Sequence, residues 1–145
     1  MTKKLVTFLL VEDDDIHAHL VTRSMENARV ANEVIRVSDG AEAISFLRRE
    51  GRFAGQPRPD IILLDLKLPK VDGHEVLAAI KEDETLRMIP VVVMTTSDTE
   101  SDREQAYQHH ANSYVVKPVD FEKFRKLVDD LSLYWGVWNE SPFGE

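Results

Sequence analysis

Five short apolar runs, spaced by stretches of helical periodicity, constrain this chain more than any other feature. Leu5 to Val11 is continuous and rich in branched and aromatic side chains, matching a strand buried on both faces. Glu33 to Val37 is shorter and partly polar, which suits a sheet edge. Ile61 to Leu64, Val91 to Met94 and Tyr114 to Val116 complete the set. Asp13, Asp14 and Asp15 offer N-cap chemistry to a helix carrying Ile16, Leu20 and Met25. Asp39-Gly40 opens a second helix with Ala43, Ile44 and Leu47 on one face, closing near Gly51 before a loop marked by Gly55, Pro57 and Pro59. Leu68-Pro69 and Asp72-Gly73 form a loop before a third helix bearing Val76, Leu77 and Ile80. Glu100 to His110 reads as a weakly amphipathic fourth, and a closing helix starts near Phe121.

Strands that alternate with helices, the inner strands wholly apolar, require a parallel sheet covered on both faces. Right-handed crossovers leave few topologies. At 145 residues the expected one is a single doubly wound, flavodoxin-like α/β domain of strand order 2-1-3-4-5. Composition removes several functions. With 26 acidic against 18 basic side chains the net charge is −8, which repels nucleic acid and anionic membrane surfaces. The absence of cysteine excludes disulfides, thiolate metal sites and cysteine nucleophiles. The N-terminal apolar run is too short for a signal peptide, so a cytoplasmic protein is expected.

In such sheets ligands bind beyond the carboxyl ends of the strands. Strand 1 ends in Glu12 and Asp13, and its neighbour strand 3 ends in Asp65, so three carboxylates should converge. Like charges that close raise one another's pKa or push loops apart, and a hard divalent cation, Mg²⁺, is the usual remedy. Strand 4 ends in Thr95 and strand 5 in Lys117. A metal, a hydroxyl and an ammonium around one carboxylate make a cage suited to a phosphoryl group on Asp65.

Leu-Val-Glu-Asp at 10–13, Leu-Leu-Asp-Leu-Lys-Leu-Pro at 63–69, Asp72-Gly73, Thr95-Thr96 and Tyr-Val-Val-Lys-Pro at 114–118 together resemble the CheY-like receiver domains of two-component response regulators. The resemblance covers Lys4 to Ser132. It implies that Asp65 accepts a phosphoryl group from a sensor histidine kinase. It further implies that Asp13, Asp65 and the backbone carbonyl of Lys67 bind Mg²⁺ directly, Glu12 acting through water. Thr95 would hydrogen-bond a phosphoryl oxygen, Lys117 would pair with it, and Tyr114 would be an aromatic switch. Glu12 stands where aspartate is more frequent. Lys67 and Ser97 occupy variable positions two residues beyond Asp65 and Thr95, where phosphoryl lifetime is tuned, and Ser113 stands where glycine is common.

The receiver is expected to span 1–132, with 133–145 an aromatic extension of the last helix and no separate output domain. Phe121, Phe124, Val128, Leu131, Trp135 and Trp138 repeat at helical spacing and predict one buried face. Leu127, Leu133, Tyr134 and Val137 lie off that stripe, so the end of the helix carries more apolar surface than one sheet covers. Aromatic-rich surplus of this kind points to an interface. Phe124, Leu127, Leu131, Tyr134, Trp135 and Trp138 are its candidate residues. This tail and the Arg48-to-Pro59 insertion resemble single-domain receivers paired with bacterial phytochromes, which implies a homodimer through the last strand and helix.

Other readings fall away or stay as rivals. His17 and His19 are two apart, and His109 and His110 adjacent, so neither pair has the spacing of a helical metal site; His74 is expected to be a solvated first-turn residue. No GxGxxG or GxxxxGK[ST] loop is present. Lys67 stands where an aspartyl-phosphate phosphatase would carry a second Asp, so no enzyme activity beyond slow self-dephosphorylation is expected. A phosphorelay intermediate and a phosphorylation-independent adaptor remain as alternatives.

Overall fold

The structure is a computed structural model that describes residues 5–27, 32–135 and 139. β1 (Val6–Val11), β2 (Asn32–Val37), β3 (Ile61–Leu64), β4 (Val91–Thr95) and β5 (Ser113–Val116) form one parallel sheet of order β2-β1-β3-β4-β5. They alternate with α1 (Asp15–Glu26), α2 (Gly40–Leu47), α3 (Gly73–Glu82), α4 (Glu100–Gln108) and α5 (Phe121–Leu133). Strand order and element order are those read from the sequence.

The pleat explains why the inner strands are apolar throughout. Leu9, Val11, Ile62, Leu64, Val91 and Val93 face one core with Phe46, Val76, Leu77, Ile80 and Ala106 of α2, α3 and α4. Phe8, Leu10, Ile61, Leu63, Val92 and Met94 face the other, against Val21 and Met25 of α1 and Phe124 and Val128 of α5. Each of the five α-helices described starts on a side-chain cap: Asp14, Asp39, Asp72, Thr99 and Asp120 each accept a backbone N–H from the first turn. Such a cap contributes about 1 kcal/mol.

At the entry end of β3 the chain is pinned to β1. Asp60 donates its backbone N–H to the Thr7 carbonyl at 2.8 Å, and the Asp60 carboxylate accepts the Thr7 N–H at 2.9 Å. The Arg48-to-Pro59 segment, with a short 3-10 turn at Gly51–Phe53, lies beyond that clamp.

Some local expectations are corrected. Ile16 is 72% exposed rather than on the buried stripe of α1, whose core residues are Ala18, Val21 and Met25. Phe121 is exposed as well, because it opens α5 ahead of the turn at which Phe124 meets the sheet. Regular α5 ends at Leu133 and continues through a wider turn at Tyr134 and Trp135, whereas Trp138 and Val137 lie outside the described residues. No helix among the described residues is long and apolar enough to cross a membrane.

Candidate functional site

The sheet order brings three strand ends together, and backbone hydrogen bonds extend the ladders one residue past them. Glu12 N–H donates to Val37, Asp65 N–H to Val11 at 3.1 Å, and Lys117 N–H to Thr95 at 2.7 Å. These bonds fix where the polar side chains begin. One carboxylate oxygen from each of Glu12, Asp13 and Asp65 falls within 4.8 Å of the others, with Asp13 exposed and the other two buried. An all-oxygen donor set of this charge, open to solvent on the Asp13 side, fits a hard divalent cation that keeps part of its water shell.

Lys117 is the positive centre of the site. Its side chain is buried, and its ammonium donates to Glu12 and, at 3.0 Å, to Asp65 Oδ2. The other Asp65 oxygen accepts the Lys67 N–H at 3.1 Å. Burial pushes the Glu12 carboxyl up to about 7 even though Lys117 pulls it down, and the charge of Asp65 adds to the rise. Thr95 is fully buried at the end of β4, and its hydroxyl oxygen lies 3.4 Å from the Ser97 N–H.

The loop that follows Asp65 is held by contact between backbones. A Cβ on Gly73 would sit 2.5 Å from the Asp65 carbonyl oxygen and 2.4 Å from the Leu66 Cα, and Gly73 N–H donates to the Leu66 carbonyl at 2.9 Å. Gly73→Ala is expected to lower stability by about 1–3 kcal/mol, because neither neighbour is a side chain that can yield. A thermal melt followed by circular dichroism checks this, and an unchanged midpoint would contradict the close approach.

Tyr114 is half-buried against the α3–α4 core and donates its hydroxyl to the Ser97 carbonyl at 2.9 Å. Burial raises the pKa of that phenol. Phe124 is buried within its own domain, and Leu127, Leu131 and Trp135 pack against the same core. These four are already used inside the fold, which leaves Tyr134 as the exposed member of the expected interface set among the described residues. Val116, Val119, Phe121 and Leu133 are exposed as well.

Three polar residues near the site carried no usable pattern in the sequence. Arg36, on the edge strand β2, donates from Nε to the Glu12 carbonyl at 3.0 Å and pairs with Asp15 at 2.8 Å. The His17 ring lies 3.1 Å from the Lys117 ammonium through Nδ1 and stacks on Phe124 at 5.8 Å. His74 is not a solvated first-turn residue: it is buried, with Nε2 3.0 Å from Asp102 Oδ1. Nothing local marked the two histidines.

The response regulator receiver domain family matches residues 8–129. The chain belongs to that family. FilR2 of Methanothrix harundinacea, named a probable methanogenesis regulatory protein, is 47% identical over 135 residues, covering 92% of this chain and 86% of its own length. Response regulator Rcp1 of Synechocystis sp. is 42% identical over 127 residues, 88% of this chain and 86% of its own. The crystal structure of its Mn²⁺-bound form matches with a TM-score of 0.92 over 95% of this chain and 99% of that one. The phosphorylated cyanobacterial phytochrome response regulator RcpA matches at 0.94 with 41% identity, over 97% of this chain and all of that one. The receiver resemblance, the CheY-like fold and the kinship with phytochrome response regulators are thereby established, and the family is one of signalling domains rather than of classical enzymes.

Proposed function

We propose that this receiver accepts a phosphoryl group on Asp65 from a sensor histidine kinase in a Mg²⁺-dependent reaction. The observation that carries the reading is the convergence of Glu12, Asp13, Asp65 and Lys117 at neighbouring strand ends, with Thr95 closing the end of β4. Asp13, Asp65 and the Lys67 carbonyl would hold the ion, with Glu12 acting through water. When bound, Mg²⁺ supplies positive charge that offsets the carboxylates and the phosphoryl oxygens. In the transfer, an Asp65 carboxylate oxygen forms the new P–O bond as the P–N bond of the donor phosphohistidine breaks, and the freed imidazole nitrogen takes a proton from solvent. Catalysis is positioning and electrostatics. Lys117 exchanges part of its contact with Asp65 for a phosphoryl oxygen, and the Thr95 hydroxyl donates to another.

The signal then leaves through Thr95, Tyr114 and the α4–β5–α5 surface. We assign the kinase to the phytochrome type on the likeness to RcpA; FilR2 makes a kinase with another input the alternative. The receiver would occupy 1–132 with 133–145 as its aromatic extension, in the cytoplasm, with slow self-dephosphorylation at most. The receiver extent alone is supported by the 99% and 100% coverage of the Rcp1 and RcpA chains. A homodimer through the last strand and helix is supported by exposed Val116, Phe121 and Tyr134. Phe121→Ser is expected to weaken self-association about tenfold or more, as loss of a buried aromatic anchor does. Sedimentation across a dilution series reads this, and unchanged association would remove Phe121 from the interface.

Incubation with Mg²⁺ and a small-molecule phosphodonor, read by intact mass, tests the reading. One phosphoryl adduct that requires the metal supports it. A folded protein that gains no adduct, either from the donor or from a phosphorylated kinase, refutes it and leaves the adaptor reading.

A further inference from the structure

The polar network around His74 is absent from the chemistry assigned so far, yet it joins three segments that the switch must coordinate. His74 stands in the first turn of α3, directly after the glycine that is pressed against Asp65 and Leu66. Its backbone N–H is held by the Asp72 carboxylate at 2.6 Å, and its ring crosses to α4, where Nε2 lies 3.0 Å from Asp102 Oδ1. The acceptor is a carboxylate, so Nε2 carries the proton. Nδ1 is buried with no hydrogen-bond partner among the described residues, which makes the Asp102 contact the ring's one polar anchor there.

The second Asp102 oxygen accepts the Ser97 hydroxyl, and the Asp102 N–H donates to the Thr99 hydroxyl at 3.2 Å. Ser97 in turn accepts the Tyr114 hydroxyl on its carbonyl and lies two residues beyond Thr95. Ser97 and His74 hold the Asp102 carboxyl below its ordinary range, as expected of an anion gripped by two donors. One carboxylate therefore ties the segment following Asp65 to the loop carrying Thr95, and through Ser97 to Tyr114.

We propose that His74, Asp102 and Ser97 form a polar clasp that positions the β4–α4 loop, and that His74 is a positioning residue for the Thr95 hydroxyl and the Tyr114 ring. The clasp's consequence for phosphoryl lifetime rests on the Asp65 reading above. With the loop held, Thr95 covers a phosphoryl group on Asp65 from one side; with the loop loose, water reaches that group more often.

Two substitutions separate the clasp from simple packing. His74→Leu keeps comparable volume and removes the donor, whereas His74→Gln places an N–H donor near the position of Nε2. In hydrogen exchange without phosphodonor, amides 97 to 102 of His74→Leu are expected to exchange about tenfold faster than in the parent, while α1 and β1 keep their protection. His74→Gln is expected to restore parent rates. Equal protection in all three proteins, equal loss in both variants, or loss spread over the whole domain would overturn the clasp.

The phosphoryl adduct is followed in parallel. Its half-life is expected to fall about threefold or more in His74→Leu and to recover in His74→Gln, one lost hydrogen bond being ample for that change. Altered exchange with an unaltered half-life would overturn the positioning role. Failure of the parent protein to form any adduct would refute the Asp65 reading, while the exchange result would still decide the clasp.

Discussion

Asp65→Asn is expected to abolish the phosphoryl adduct completely while the fold stays intact. Asparagine keeps the shape of aspartate and loses the nucleophilic oxygen. The amide oxygen can still accept one of the two hydrogen bonds that Asp65 takes, from Lys67 N–H and the Lys117 ammonium. Lys117 keeps its buried partner Glu12, so no charge is stranded. The removed charge also stood within 4.8 Å of two other carboxylate oxygens, so the variant is relieved of repulsion that the parent endures. Stability should therefore hold or rise in the absence of metal. Intact mass with phosphodonor and a urea titration read both halves. A persisting adduct would place the acceptor elsewhere, and an unfolded variant would mean that Asp65 is chiefly structural.

Lys117→Met is expected to have the larger effect on stability. The ammonium is the partner of two buried carboxylates that come from different strands. Removing one member of such a buried group typically costs about 3–5 kcal/mol, because the remaining charges are left in a poorly solvated place. Methionine fills much of the vacated volume, which separates the lost charge from a cavity effect. Mg²⁺ should restore more stability to this variant than to the parent, since the acidic cluster then has no internal cation to offset it. Urea midpoints with and without Mg²⁺ check the prediction. An unchanged midpoint without metal would mean that water already screens Glu12 and Asp65, contrary to their burial.

What the sequence made legible follows from how each feature is encoded. Leu9, Leu10, Ile62, Leu63, Val92 and Val93 are apolar on both alternating faces, and a parallel sheet sandwiched by helices is the arrangement that buries both. Strand order then placed Glu12, Asp13, Asp65 and Lys117 together without any further information.

Arg36, His17 and His74 were not legible. Their roles come from partners 24, 100 and 28 residues away, and nothing at their own positions distinguishes them from solvated polar side chains. The stripe on α5 failed differently. Helical periodicity shows which residues share a face, but not where along the helix its neighbour begins. Phe121 shares the face of Phe124 and is exposed, whereas Leu127, off the stripe, is packed against the core.

The clamp between Asp60 and Thr7 has a practical use. It seals the sheet at the end opposite the acidic cluster, so exposed residues 54–57 form an outer loop whose return to β3 is fixed independently of its length. A fluorophore, an affinity peptide or a small reporter domain spliced into that loop would ride on the molecule away from the acidic cluster and from the α4–β5–α5 surface proposed above for readout. Loop closure adds little for such extensions, about 0.6 kcal/mol for each doubling of length. The same geometry that leaves this segment without a catalytic duty makes it the natural handle for watching the switch operate in a living cell.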